Sequence, residues 1–128
     1  MSAENQRIVP VASNQTLVAT AGMAISGGKV VYMRERKIYT YTATDELLYR
    51  APIGISKTAA AENTIIQVQL FGLFYEAGLG LTPDTDYFAG DNGSLVANPD
   101  GLKVCQYIGR TISSDQIKIE IQSPIITI

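Results

Sequence analysis

The chain of 128 residues (13.8 kDa) is the size of a single domain, and its net charge of −2, with a pI of about 5.0, lacks the basic excess of a nucleic-acid-binding protein. It contains no histidine and one cysteine, Cys105, which excludes a Ser-His-Asp triad, a Cys-His dyad, a histidine-ligated zinc site and an internal disulfide. Hydrophobic residues make up 46% and charged residues 17%, with a mean hydropathy of +0.11, and this thinly charged composition favours burial of part of the surface against other subunits.

Residues 1–15 are predicted to form an extended N-terminal arm. The arm is polar except for Ile8, Val9 and Val11 around Pro10, and we take these three as candidate anchoring residues. The first residues lack the basic segment followed by a long apolar stretch that marks a signal peptide, so no signal peptide is predicted. No apolar run approaches the roughly 20 residues of a membrane helix, so we expect a soluble protein made in the cytoplasm, with no membrane partner.

Short strands dominate the next part of the chain. Runs of β-branched and aromatic residues predict four strands, at Thr16–Ala21, Lys29–Met33, Lys37–Ala43 and Ile53–Lys57. Arg34-Glu35-Arg36 joins the second strand to the third as a hairpin. Helix is limited to two fragments with room for about one turn each. These fragments are Thr44–Leu48 and Thr58–Glu62.

The longest predicted strand is Ile65–Tyr75. It begins with strict alternation and becomes almost wholly apolar after Leu70, with Gly72 predicted to mark a bulge or bend. Two further strands, Tyr87–Ala89 and Ser94–Val96, flank a turn whose Asn-Gly pair favours a tight hairpin.

Two long segments complete the chain. Leu102–Thr111 alternates until Gly109, and Asp115–Gln122 alternates isoleucine with polar residues, so the pair is predicted to form an antiparallel hairpin. The terminus after Ser123 carries isoleucines and no charged side chain, which predicts a final strand or a contact between subunits. The segments together predict an all-β fold: a compact antiparallel β-barrel or sandwich of about eight short strands over residues 16–128.

Two groups of residues suggest chemistry, and each has a simpler interpretation. Asp84, Asp86 and Asp91 could invite calcium or serve a hydrolase, but the calcium-loop pattern fails at Phe88 and Ala89, and aspartates are common in turns. Tyr32, Tyr39 and Tyr41 lie near Arg34, Arg36 and Lys37, as in a small nucleic-acid platform. Cross-strand packing is the simpler explanation, because Tyr39 and Tyr41 share a strand face. We therefore expect no catalytic site, no metal, no cofactor and no nucleic-acid partner.

The order and spacing of several glycine-turn-strand segments carry a resemblance that covers residues 20–128. The most specific segment is Gly80-Leu-Thr-Pro83 before an aromatic strand. The others are Ala24–Tyr32, Ala51–Ile55, Ile65–Gly72, Gly93–Leu95, Gln106–Gly109 and the closing strand to Pro124. In this order they resemble a small all-β domain of tailed-phage virion proteins, found in capsid decoration (cement) proteins, head fibres and trimeric fibre modules.

The resemblance implies a non-enzymatic structural protein of the virion, often a homotrimer, that decorates or stabilises the capsid or forms a short head fibre. The arm residues Ile8, Val9 and Val11 would anchor it to the major capsid protein or another virion protein. An alternative is a tail-fibre or host-surface module whose aromatic side chains bind glycans. The aromatic cluster and the isoleucine-rich terminus provide the candidate subunit interface: Phe71, Phe74, Tyr75, Ile125, Ile126 and Ile128.

Overall fold

The computed structural model describes residues 15–42, 51–102, 104–122 and 125–126, and within them the chain forms eleven strands and one short 3-10 helix, Asp91–Gly93. The strands are β1 (Gln15–Ala21), β2 (Val30–Arg34), β3 (Lys37–Thr40), β4 (Gly54–Ser56), β5 (Ile65–Tyr75), β6 (Asp86–Ala89), β7 (Leu95–Val96), β8 (Val104–Cys105), β9 (Tyr107–Ser113), β10 (Gln116–Ile119) and β11 (Ile125–Ile126). The all-β prediction is confirmed. No helix in this part of the chain is long and apolar enough to cross a membrane.

Nine strands form one sheet in the order β1-β3-β2-β4-β5-β10-β9-β6-β7. β1 pairs with both β3 and β5, which closes the first five strands into a ring. Among the strand pairs of the described residues β1–β3 is parallel, and the others are antiparallel as the sequence predicts. β8 and β11 form a separate antiparallel pair, which confirms a final strand at the terminus.

The segment predicted as one strand over Leu102–Thr111 is divided at Gln106. The Gln106 side chain is buried, and its Nε2 donates to the carbonyl oxygens of Gln122 and Tyr107. Its own carbonyl accepts from the amide of Ala89 at 2.9 Å. The strand therefore changes partners at this residue: β8 pairs with β11, whereas β9 pairs with β10 and β6.

The predicted helical turn at Thr58–Glu62 is absent. The amides and carbonyls of Ala60 and Ile25 exchange two hydrogen bonds of 2.9 Å and form an isolated bridge. A single helical turn has an unfavourable nucleation free energy, and these bonds to another segment satisfy the backbone instead. The other predicted turn, Thr44–Leu48, lies outside the described residues, as do residues 1–14 of the arm, and Gln15 already belongs to β1.

β5 is shared by both halves of the large sheet. Its first part pairs with β1 and β4, and its last part, from Gly72 to Tyr75, pairs with β10. Phe71 and Gln69 are opposite successive residues of β1, so Leu70 is an extra residue, and Gly72 has a φ of 88°. The predicted irregularity near Gly72 is confirmed, because the strand must change direction to join two sets of partners.

The buried Gln69 side chain makes hydrogen bonds to the backbone of this irregular segment. It is 3% exposed, and its Nε2 donates to the carbonyl oxygens of Phe71 at 3.1 Å and Leu73 at 2.9 Å. An amide NH₂ has two donors, and both are used on the backbone of the same strand.

Two apolar clusters lie on opposite sides of β2, whose Val31 belongs to the first cluster and Val30 to the second. The first cluster is Ala21, Ile25, Val31, Ile38, Ile66 and Val68. The second is Val30, Tyr41, Ile55, Phe74, Tyr87, Ala89, Ile108, Ile117 and Ile119. β5 supplies side chains to both clusters, which makes the ring and the remaining strands one packed unit.

The predicted β2–β3 hairpin is confirmed and has an unusual turn. Arg34 is opposite Lys37, so the loop is the two residues Glu35 and Arg36, whose φ angles are 51° and 70°. Positive φ at both positions is the requirement of a type I′ turn, which favours Asn-Gly. Residues with a β-carbon raise the free energy of this turn.

We expect Gln69→Leu to lower the free energy of unfolding by about 2 kcal/mol, because it removes the two hydrogen bonds that the buried Gln69 amide donates to the carbonyls of Phe71 and Leu73, each worth about 1 kcal/mol. Urea unfolding followed by circular dichroism measures this change. Gln67→Leu is the matched control, since Gln67 is an exposed glutamine on the same strand. Equal effects of the two substitutions would contradict the role assigned to Gln69.

We expect the double substitution Glu35→Asn with Arg36→Gly to raise the free energy of unfolding by about 1 kcal/mol, since both new residues accept positive φ. Thermal or urea unfolding measures it. Lys37→Gly, one residue further and within β3, should instead lower the stability, because glycine weakens a strand. A loss of stability in the double variant would show that the turn is not strained.

Candidate functional site

The outer face of β5, β10 and β9 exposes four large apolar side chains. They are Phe71 (40% exposed), Leu73 (37%), Tyr75 (62%) and Ile112 (60%), and we call them the apolar face. Leu73 is opposite Lys118, which in turn is opposite Arg110 on β9. Because side chains alternate along a strand, Tyr75 lies on the same face as Leu73, and Ile112 on the same face as Arg110.

An open groove of about 660 Å³ lies beside the apolar face. Phe71, Leu73 and Ile112 belong to both the groove and the face. The remaining lining residues are mostly apolar and come from the segment before β4, from β5, and from β10 and the residues after it. They are Pro52, Ile53, Leu70, Gly72, Lys118, Ile119, Glu120 and Ile121. A concave surface of this composition binds apolar groups, while the lysine and glutamate supply polar contacts at its edge.

A charged cluster lies next to the groove. The Arg110 guanidinium contacts Oδ1 of Asp84 at 3.0 Å and Oδ1 of Asp86 at 3.2 Å, and it also donates to the backbone carbonyl of Asp84 at 2.9 Å. A hydrogen bond to Asp84 and, to a smaller extent, one to Asp86 raise the pKa of Arg110, so its guanidinium stays charged. These groups are exposed, so the ion pairs contribute little to stability; their effect is to fix where the charges lie.

Buried hydrogen bonds position the loop that carries Asp84. The Thr111 hydroxyl donates to the carbonyl of Thr82 at 2.5 Å and accepts from the amide of Thr85 at 2.9 Å. The amide of Thr82 also donates to the Tyr87 hydroxyl at 2.8 Å. The loop is therefore tied to β9 and β6, and Asp84, with a φ of 54°, points to Arg110.

Tyr107 extends the charged cluster. Its hydroxyl donates to Oδ1 of Asp86 at 3.1 Å, and its ring forms an edge contact with Phe88 at a centroid distance of 5.7 Å. Partial burial and then the hydrogen bond to the Asp86 carboxylate raise the pKa of Tyr107 to about 12. Both effects favour the neutral phenol, which keeps donating to Asp86 across the ordinary pH range.

The predicted subunit-interface residues do not all lie on this face. Phe71 and Tyr75 do, but Phe74 is 2% exposed and packs in the second cluster, so its assignment to the interface is wrong. β5 alternates across the sheet, and Phe74 therefore points inward between two outward neighbours. Ile125 and Ile126 form β11, although their side chains lie outside what the structure describes. Ile8, Val9, Val11 and Ile128 lie outside the described residues.

Leu73 and Ile112 were missed by the sequence analysis. Leu73 carries a detectable signal, because it is two residues from both Phe71 and Tyr75 and so shares their face. Ile112 follows the interruption at Gly109, after which the alternation of β9 no longer identifies its faces from sequence.

The residues of the alternative sites make contacts within the fold. Asp84 and Asp86 bind Arg110, whereas Asp91 accepts from the Thr42 hydroxyl at 3.1 Å. Within the described ranges, no group of three His, Cys, Asp or Glu side chains is placed to hold a metal ion. Among the tyrosines near the β2–β3 hairpin, Tyr41 is buried, and Tyr32 stacks on Tyr39 across the strands at 5.7 Å, as cross-strand packing predicts.

A scan of protein-family models and a search of curated proteins each find no match to the chain.

Because the pKa of Tyr107 is about 12 in the folded chain, against 10.0 for an unperturbed tyrosine, the unfolded chain releases this proton first. We therefore expect the contribution of the neutral Tyr107 phenol to the free energy of unfolding to be fully present below pH 10 and lost as the pH rises from 10 through 12. Ultraviolet absorbance of tyrosinate, compared between the chain and Tyr107→Phe, isolates this titration. Asp86→Asn should lower the pKa of Tyr107, though not fully to that of an exposed tyrosine, because the larger cause is burial.

Proposed function

We propose that this chain is a non-enzymatic structural subunit of a tailed-phage particle. It decorates or stabilises the capsid, or forms a short head fibre, as a homo-oligomer for which a trimer is the expected state. The sequence resemblance supports the setting, and the apolar face supports assembly. The arm residues Ile8, Val9 and Val11 are proposed to contact the shell, and the location is therefore the virion.

The apolar face is the observation that carries the proposal. Phe71, Leu73, Tyr75 and Ile112 lie together on one side of the sheet, whereas scattered exposed apolar residues need no explanation. The centre of a protein interface is enriched in aromatic and aliphatic side chains surrounded by polar groups. The cluster of Arg110 with Asp84 and Asp86 provides such a polar edge, with charges already held in place.

The polar groups also favour a structural role. A carboxylate pair for hydrolysis needs one acid and one base, each able to reach the substrate. Asp84 and Asp86 instead share the guanidinium of Arg110, and Asp86 also accepts from Tyr107, so both carboxylates are engaged in contacts within the fold.

A glycan-binding module of a tail fibre or host-contacting protein is the alternative proposal. Phe71 and Tyr75 are exposed aromatic side chains of the kind that contact sugar rings, and the groove lies beside Phe71. The burial of Phe74 removes one of the three aromatic residues on which this alternative was based. The aliphatic pair Leu73 and Ile112 on the same face favours protein contact.

We expect Ile112→Lys to weaken self-association at least about tenfold, because it places a charge in an apolar interface. Sedimentation velocity over a range of concentrations measures the dissociation constant. Ile65→Lys is the matched control, since Ile65 is also a strand isoleucine and is 64% exposed, yet it lies outside the apolar face. The proposal fails if the chain is monomeric at high micromolar concentration, or if the two variants associate equally.

Particle imaging distinguishes the two proposals. Cryo-electron microscopy or immunogold labelling of virions should place the chain on the head, and Ile112→Lys should reduce its occupancy there while Ile65→Lys does not. Labelling of the tail tip would favour the host-binding alternative, and a chain absent from purified particles would overturn both.

A further inference from the structure

We propose that the groove beside the apolar face is a binding site for the chain's own N-terminal segment, residues 8–11. In the free subunit Ile8, Val9 and Val11 would cover the groove, and they would be released when a partner takes this surface. The inference rests on the proposed function only for the identity of that partner. The binding of the segment itself is a property of the isolated chain.

The point at which β1 begins places the segment beside the groove. Gln15, the first residue of β1, is opposite Phe71, which lines the groove. β1 and β5 are antiparallel, so β1, followed back to its first residue, runs along β5 from Ile65 to Phe71. The arm is therefore attached next to a residue that lines the groove.

The length and sequence of the segment fit this attachment. Four residue steps separate Val11 from Gln15 and seven separate Ile8 from it. At about 3.3–3.6 Å per residue, these steps span at most roughly 14 Å and 25 Å, which is enough to cover the width of several strands about 4.8 Å apart. Proline restricts its own φ and disfavours helical geometry at the residue before it, so Pro10 and Val9 have fewer conformations to lose on binding than other residues.

The chemistry of the two surfaces is also complementary. Ile8, Val9 and Val11 are the only large aliphatic residues before Gln15 apart from Met1. The groove wall is formed by Ile53, Leu70, Phe71, Leu73, Ile112 and Ile121. Its charged edge holds Lys118 and Glu120, whose side chains are 3.9 Å apart, and the arm carries Glu4 and Arg7 before the apolar segment. The arm therefore offers apolar side chains to the apolar wall of the groove and charged side chains to Lys118 and Glu120.

Covalent attachment favours the chain's own segment over an external peptide. A short flexible connection gives a tethered segment an effective concentration on the order of millimolar. A weak contact of a few apolar side chains is populated at that concentration. It would shield a surface that otherwise promotes association before the particle is assembled.

Methyl NMR on the full chain tests the proposal. With isoleucine, leucine and valine methyl groups labelled, we expect nuclear Overhauser contacts from Ile8, Val9 and Val11 to the groove residues Leu70, Leu73, Ile112 and Ile121. The variant carrying Ile8→Ser, Val9→Ser and Val11→Ser should shift the groove methyl signals and bind more of an environment-sensitive apolar dye. The control carrying Asn5→Ser, Gln6→Ser and Asn14→Ser changes as many arm residues and should do neither.

Absence of the arm-to-groove contacts in the unsubstituted chain would overturn the proposal, as would equal groove shifts in the two variants. A sample that mixes two differently labelled chains identifies the source: contacts seen only between chains would assign the groove to a neighbour's arm and overturn binding within one chain. Dilution to concentrations where sedimentation shows a monomer removes contacts between chains and leaves the contacts within one chain. Binding of the segment is therefore decided independently of whether the chain assembles on a phage particle.

Discussion

The fold depends on one strand serving two sets of partners. β5 pairs with β1 and β4 over its first residues and with β10 over its last. It also supplies Ile66 and Val68 to one apolar cluster and Phe74 to the other. A strand that changes partners must bend, and a bend removes backbone groups from regular pairing. The buried Gln69 amide supplies the donors that this strand requires, so a polar side chain stabilises the junction between two apolar clusters.

The same bend creates the candidate site. Beyond Gly72 the strand continues with Leu73 and Tyr75 outward and Phe74 inward, which places apolar groups on both sides of one short segment. The inward residue completes the second cluster, while the outward residues have only the groove and solvent beside them. The core and the proposed interface therefore use alternate residues of the same strand. A substitution on the outer face tests assembly with little effect on the core.

The charged cluster gives this surface an orientation. Arg110 holds the two carboxylates on one side of the groove, and buried bonds from Thr111 and Tyr87 hold the loop that carries one of them. Exposed ion pairs of this kind affect which partner binds, and in what orientation, more than they affect stability. A partner that meets the surface finds its charges already in position. The proposed arm contact lies on the opposite, apolar part of the same surface, where it would be exchanged for that partner.

The sequence by itself determined the all-β class, most strand positions, the β2–β3 and β9–β10 hairpins and the irregularity near Gly72, because alternation and turn residues are local properties of the chain. It also identified Phe71 and Tyr75. The tight hairpin predicted at Asn92-Gly93 is instead a loop over residues 90–94 that contains the 3-10 helix. Tertiary structure decided the ring closed by a parallel seam, the division of a predicted strand at Gln106, and the inward direction of Phe74. In an almost wholly apolar run both faces look alike in sequence, and only the partners across the strand determine which one is buried. Ile112 lies on the same surface as Leu73 because β10 pairs with both β5 and β9, and the sequence does not show which strands are neighbours in the sheet.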